Sequence, residues 1–227
     1  FLYGQIDRIS REAPVFIVSH ERSDFRPGCA ANAVANLAAL SAKVLPCGTV
    51  GDDEYGYELR RLMAERGVDT DGIIGRHKAR TPLKTRVIAG GLHSTKQQIV
   101  RIDRLNGMGG REIDDLEIRK RLSDRLKDCD AVLISDYGIG SLAINTARWL
   151  LGEARQQGLP VLVDSRYRLG EYSGATAMTP NHPEAEALAG KLLNDNDSLH
   201  AAGIELLERL KVKALVITRG SDGMTLF

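Results

Sequence analysis

A chain of 227 residues suits one α/β domain, or one domain with a small appendage, and is ample for a buried core. Its 43% hydrophobic and 27% charged residues exclude extended disorder, and a net charge of +1 removes any general electrostatic reason to bind nucleic acid or an anionic membrane. No apolar run approaches the roughly 20 residues that span a bilayer, no signal-peptide pattern stands at Phe1, and Cys29, Cys47 and Cys129 contain no Cys-x-x-Cys pair, so reduced thiols and a cytoplasmic location are expected rather than disulfides or structural zinc.

In chain order, the β-branched and aromatic run Ala13 to Val18 predicts a strand, and Glu21 to Arg26 a polar turn. Pro27-Gly28-Cys29-Ala30-Ala31-Asn32 follows. Gly28 suits a turn where main chain approaches a ligand, and the Asn32 amide can donate to and accept from a sugar hydroxyl. An ordinary small-residue helix packed on a sheet fits the same letters. A helix is expected from Ala30 to Ser41, a strand from Val44 to Val50, and a second helix from Glu54 to Arg66, ended by the turn Gly67-Val68-Asp69-Thr70-Asp71. Strands are expected at Leu83 to Ala89 and Gln98 to Arg104, around Gly90-Gly91 and a polar tip from Leu92 to Lys96. Lys84, Arg86 and Arg101 are candidate phosphate holders, since ammonium and forked guanidinium groups pair with phosphate oxygens. The plain alternative is the wet face of an exposed strand.

Gly107-Met108-Gly109-Gly110 reads as a flexible join and Glu112 to Leu126 as a helix with one apolar face. A strand at Asp130 to Ser135, a helix at Leu142 to Gln157 and a strand at Pro160 to Asp164 set an α/β rhythm, in which ligands sit beyond the carboxyl ends of the strands. Asp136 stands there as a candidate substrate contact and Asp164 as a group acting on a metal through water; each fits a helix cap or turn equally well. Asn181 and Glu184 have the spacing to meet phosphate and hydrated Mg²⁺ at a helix start, which is also the spacing of a capping box. His182 is read as a surface residue. A helix from Ser198 to Leu210 leads into a strand at Ala214 to Thr218, and Arg219-Gly220-Ser221-Asp222-Gly223 has good turn chemistry.

Gly28, Asn32, Ser41 and Gly51-Asp52-Asp53-Glu54-Tyr55-Gly56 together resemble the first signature of the ribokinase-like (PfkB) carbohydrate kinases. Asp7 to Val15, Arg80 to Ile88 and Gln97 to Arg104 resemble one branch of that family, the heptose 7-phosphate kinases. The resemblance implies a doubly wound, mostly parallel sheet with helices on both faces. It also implies a small β lid, formed around residues 13–22 and 82–104, that covers the sugar and builds a homodimer. It puts Gly28, Asn32, Lys84, Arg86, Arg101 and Asp136 on a sugar phosphate, puts Asn181, Glu184, Thr218, Gly220 and Gly223 on ATP, and lets Glu184 order Mg²⁺ through water. The implied reaction phosphorylates the anomeric hydroxyl of the heptose, toward ADP-heptose and the lipopolysaccharide core.

The chain departs from the family at two places: Cys29 stands where a second glycine is usual, and Ser165-Arg166 replaces Pro-Lys after Asp164. The family's Gly-Ala-Gly-Asp base motif is absent and is expected after Phe227, as the family's first strand is expected before Phe1. These residues are therefore expected to be an incomplete kinase domain with little catalysis of their own, and no catalytic residue is named. The alternatives are a PfkB kinase for another sugar, sugar phosphate or nucleoside, and a non-catalytic sugar-binding or dimerising remnant. A dinucleotide-dependent oxidoreductase is excluded, because no Gly-x-Gly-x-x-Gly follows a first strand and opens a helix.

Overall fold

A computed structural model describes residues 1–91, 94–105 and 115–227. The chain forms two compact units, one made of Phe1–Val44 and Val50–Gly109, the other of Leu45–Thr49 and Gly110–Phe227.

The first unit is built on a four-stranded sheet in the order β2-β1-β5-β6. Its strands are β1 (Leu2–Ile9), β2 (Phe16–Ser23), β5 (Leu83–Gly90) and β6 (Gln97–Arg104). Between the two strand pairs the chain runs through α1 (Ala30–Ala39), β3 (Gly48–Gly51), α2 (Glu54–Ala64) and β4 (Ile73–Arg76), with β3 paired to β4; Gly48 and Thr49 of β3 belong to the second unit. β1 has no counterpart in the sequence reading. Its sequence LYGQIDRI carries a glycine and several polar residues, and Gly4 is there because β2 passes so close that a Cβ would lie 2.5 Å from the Ser19 carbonyl oxygen. The expected turn at Glu21 to Arg26 is corrected in part, since Glu21 to Ser23 continue β2, and Val44 to Cys47 lie outside β3.

Residues bridged across a sheet share a face. One face of this sheet gathers Tyr3, Arg22, Ile88, Arg86, Arg101, Lys84 and Asp103; the other carries Leu2, Val87 and Val100 in one row and Thr85 and Ile102 in the next. Val100 and Ile102 are 46% and 59% exposed.

In the second unit, α3 (Asp115–Leu126), β7 (Val132–Asp136), α4 (Ile144–Gln156), β8 (Val161–Ser165), β9 (Ala177–Met178), α5 (His182–Ala189), α6 (Asn196–Leu210), β10 (Ala214–Thr218) and β11 (Met224–Leu226) follow in order. The sheet order is β11-β10-β9-β8-β7; β7 to β10 are parallel and β11 is antiparallel. Ile134, Val163, Met178 and Leu215 form one row across four parallel strands, none more than 3% exposed. Leu150, Leu151 and Ala154 of α4 and Leu199, Leu206 and Leu210 of α6 close over the core. Burying each such large side chain stabilises the unit by about 1.5–3 kcal/mol.

The helices expected at Glu112, Leu142 and Ser198 are found within two or three residues of their expected starts, the first three residues of the Glu112 helix lying outside the described residues. So do the Gly107 to Gly110 join and part of the Leu92 to Lys96 tip. β9 escapes a pattern reading because two residues show no periodicity.

Candidate active site

In the first unit the turn into α1 places its conformational demand on Cys29 rather than on Gly28. Cys29 has φ 51° and ψ −132°, a region that favours glycine, and it precedes α1 without a side-chain hydrogen bond; Gly28 is not among the glycines with positive φ, and a Cβ added to it meets nothing within 4 Å. A glycine would take this geometry without strain, and this chain meets it with cysteine. The Gly28 carbonyl accepts from Ala31 N–H at 3.1 Å, and Asn32 follows, exposed, in the first turn of a helix that buries none of its residues.

The Gly51 to Gly56 segment is a folding device. Asp53 precedes α2 as its N-cap; one carboxylate oxygen accepts from Gly56 N–H at 2.9 Å and from the Thr81 hydroxyl at 2.6 Å, and the other accepts from Thr81 N–H at 2.9 Å. Burial pushes this carboxyl up, but those hydrogen bonds and Arg104 outweigh it, so the group is held below the ordinary aspartate range. Both glycines are required by close approach: a Cβ on Gly51 would lie 2.5 Å from Thr81 N, and one on Gly56 would lie 2.1 Å from Gly51 O.

Lys84, Arg86 and Arg101 share the polar face of the β5–β6 pair, and Arg86 sits directly opposite Arg101. They are not equivalent there. Arg101 is forked onto Asp103, Nε to Oδ1 and Nη2 to Oδ2 both at 3.0 Å, whereas Arg86 lies over the ring of Phe1 with Cζ 5.4 Å from the centroid.

In the second unit the carboxyl ends of the parallel strands collect most of the remaining candidates. Asp136 is the most heavily hydrogen-bonded of them. Its buried carboxylate accepts five hydrogen bonds: from Arg168 Nε (2.9 Å) and Nη2 (2.8 Å), Ser165 Oγ (3.1 Å), Tyr172 OH (2.7 Å) and Gly138 N–H (2.9 Å). An oxygen pair so engaged joins β7 to the loop after β8 and has little capacity left for a substrate. Burial would raise its pKa, yet Arg168, Gly138 and Tyr172 outweigh that and hold the carboxyl below the usual range. Arg168 and Tyr172 were not legible in advance, because their link to Asp136 crosses more than thirty residues.

Asp164 closes β8 with the opposite electrostatics: half-burial pushes its carboxyl up, and the hydroxyl of Thr179 only partly opposes this. Asn181 and Glu184 form a complete capping box at the start of α5, the Asn181 side chain accepting from Glu184 N–H and the Glu184 carboxylate accepting from Asn181 N–H, each at 2.9 Å. Asn181 bridges Thr218 at the end of β10. Gly220 and Gly223 have φ of 61° and 80° in the turn that returns β10 to β11, so the turn alone accounts for both glycines. Asp164, Asn181 and Thr218 therefore stand at neighbouring strand ends, the usual ligand position in such sheets.

Comparison with known proteins decides the family. The model of the pfkB family carbohydrate kinases matches residues 19–227. The chain belongs to the pfkB family. It is 41% identical over 228 residues to the bifunctional protein HldE of Citrifermentans bemidjiense and 39% identical over 232 residues to that of Geobacter sulfurreducens; in each case all of this chain is covered but only 46% of the relative. The chain thus spans about half the length of the curated relatives it matches. Among solved structures, a ribokinase of Arabidopsis thaliana complexed with ribose and ATP superposes with a TM-score of 0.69 at 20% identity, covering all of this chain and 70% of the other. The phosphofructokinase-2 of Escherichia coli in complex with fructose-6-phosphate gives 0.68 at 20% identity, with 72% of that chain covered. These likenesses establish a ribokinase-like α/β fold for this pfkB chain.

Proposed function

We propose that this pfkB chain is the kinase part of an ATP-dependent heptose kinase that converts D-glycero-D-manno-heptose 7-phosphate to the 1,7-bisphosphate. The observation that carries the reading is the cationic face of the first unit's sheet, where Lys84, Arg86 and Arg101 stand together, in a chain similar from end to end to HldE proteins. In the reaction the anomeric oxygen bonds to the γ-phosphorus of ATP, the bond to the β-phosphate oxygen breaks, and ADP leaves with the electron pair while the hydroxyl proton passes to a base. That base is not assigned to a residue of this chain. The turn at Gly28 and Cys29 and the amide of Asn32 would orient the sugar.

ATP would lie at the strand ends of the second unit, against Asn181, Glu184, Thr218, Gly220 and Gly223. Among the described residues there is no cluster of three or more His, Cys, Asp or Glu able to cage a metal. Magnesium carried in on the triphosphate would keep most of its waters, and Glu184 and Asp164 would hold it through them. Magnesium would supply charge neutralisation at the phosphates.

The apolar face of the same sheet, with Val100 and Ile102 exposed, supports a homodimer formed through the lid strands. A cytoplasmic location follows from the substrates, and no described helix is long and apolar enough to cross a membrane. The test is ADP release by the complete gene product with Mg-ATP, comparing heptose 7-phosphate, ribose, fructose 6-phosphate and no sugar. Stimulation by the heptose phosphate above the others is expected; equal rates for all would sink the assignment.

A further inference from the structure

We infer that Arg26 and Arg86 form a two-guanidinium clamp for the phosphate group of a phosphorylated sugar, an inference that rests on the kinase reading above and adds Arg26 to it. The two side chains come from different places, one from the polar approach to the Gly28 turn and one from the middle of β5, yet both pack on one ring: Cζ of Arg26 is 5.3 Å and Cζ of Arg86 5.4 Å from the Phe1 centroid. Phe1 is itself stacked on Tyr3, with centroids 6.3 Å apart and planes at 22°, so the ring that carries both arginines is supported from the sheet.

The neighbouring cations are already engaged. Arg22 lies 3.8 Å over Tyr3 and is paired with Asp24, and Arg101 is forked onto Asp103. Asp24 is near enough to Arg26 to feel its charge, but its carboxylate is hydrogen-bonded to Arg22. Among the described residues no ion pair joins Arg26 or Arg86 to a carboxylate. Aromatic faces hold guanidinium planes without neutralising them, which leaves the donor edges of both forks available. Two like charges gathered on one ring repel, and an anion with three oxygens and about two negative charges relieves that repulsion while matching both forks. Arg26 lies two residues before Gly28, so a phosphate held there is next to the turn expected to hold the sugar.

The experiment is titration calorimetry of the full chain and of R26A, R86A and R26A/R86A with heptose 7-phosphate and with the unphosphorylated heptose. Alongside it, the ³¹P line width of inorganic phosphate is measured in each protein. Each single variant is expected to weaken heptose 7-phosphate binding by about 10- to 100-fold, the range of one charge-assisted hydrogen-bonding partner, while leaving the unphosphorylated sugar unchanged. The double variant is expected to lose less than the product of the two single effects, because both forks act on one group. R26K, which keeps charge and fold but lacks the fork, is expected to fall between wild type and R26A. If the variants bind heptose 7-phosphate as tightly as wild type, the clamp is wrong and the kinase reading stands. Should the wild type bind no sugar phosphate, the ³¹P signal decides: broadening lost in both single variants keeps the clamp and removes the heptose, and unchanged broadening removes the clamp.

Discussion

Asp53 and Thr81, 28 residues apart, are joined by two hydrogen bonds, and the Thr81 hydroxyl in turn accepts from Gly51 N–H at 3.0 Å. The three groups lock the start of α2 to the strand that carries Lys84 and Arg86. Thr81→Val keeps the shape, removes the hydroxyl and leaves both Gly51 N–H and an Asp53 oxygen short of a partner. It is expected to lower stability by about 1–3 kcal/mol, measured by urea denaturation, whereas Thr81→Ser should retain most of it. A valine variant as stable as wild type would show that the lock contributes nothing.

The Asp136 network predicts acid sensitivity. Its folded-state pKa lies below the ordinary value of 3.8, so its stabilisation is fully present above that value and is lost as pH falls through the lower folded-state pKa. The stability gap between wild type and Asp136→Asn should therefore be wide at pH 7, begin to close below about pH 4 and go on closing as pH falls further. Arg168→Ala, which strands a buried carboxylate, is expected to cost about 3 kcal/mol or more at pH 7. A gap independent of pH would mean that the carboxylate's charge is irrelevant to the fold.

Asp164 has the opposite sign. Its pKa is raised, so ionising it in the folded protein is unfavourable, and the cost is present at neutral pH and absent once pH falls below the unfolded value. Asp164→Asn should raise the melting temperature at pH 7 and make little difference at pH 3, while weakening Mg-ATP binding. Loss of melting temperature at pH 7 would contradict the burial argument.

Cys29 carries backbone strain of about 1–3 kcal/mol for a side chain at φ 51° and ψ −132°. Cys29→Gly relieves it at some cost in unfolded-state entropy, and a net gain of about 1 kcal/mol is expected. Calorimetric melting checks this, and Cys29→Ala, which keeps a Cβ, serves as the control that should gain nothing.

Ile102 is 59% exposed, so Ile102→Glu should leave the monomer folded. Sedimentation velocity is then expected to show a dimer for wild type and a monomer for the variant. A wild-type monomer at tens of micromolar would remove the lid interface.

Much of this was readable from the chain alone, for reasons that differ by residue. The strands through Val161 and Ala214 announce themselves by apolar runs between breakers, and Gly51 to Gly56 by its likeness to a family signature. β1 stayed hidden because its stability comes from neighbours on both sides rather than from its own pattern. Position at a strand end shows where the Asp136 carboxylate is, but not its hydrogen bonds, most of which come from Ser165, Arg168 and Tyr172, about thirty residues further along the chain. The demand for glycine at position 29 is a torsion angle, and no composition shows one.

The pairing of β5 with β6 shifts register between Val87 and Ile88, and on the near side of that shift Arg86 faces Arg101 while Val87 faces Val100. Because side chains alternate along each strand, moving one strand by one residue would send its own arginine to the apolar face and its valine to the charged one. A single-residue deletion in the hairpin would thus exchange the two faces of the strand that it displaces. The separation of the cationic face from the apolar one depends on the count of residues between the strands as much as on their identity.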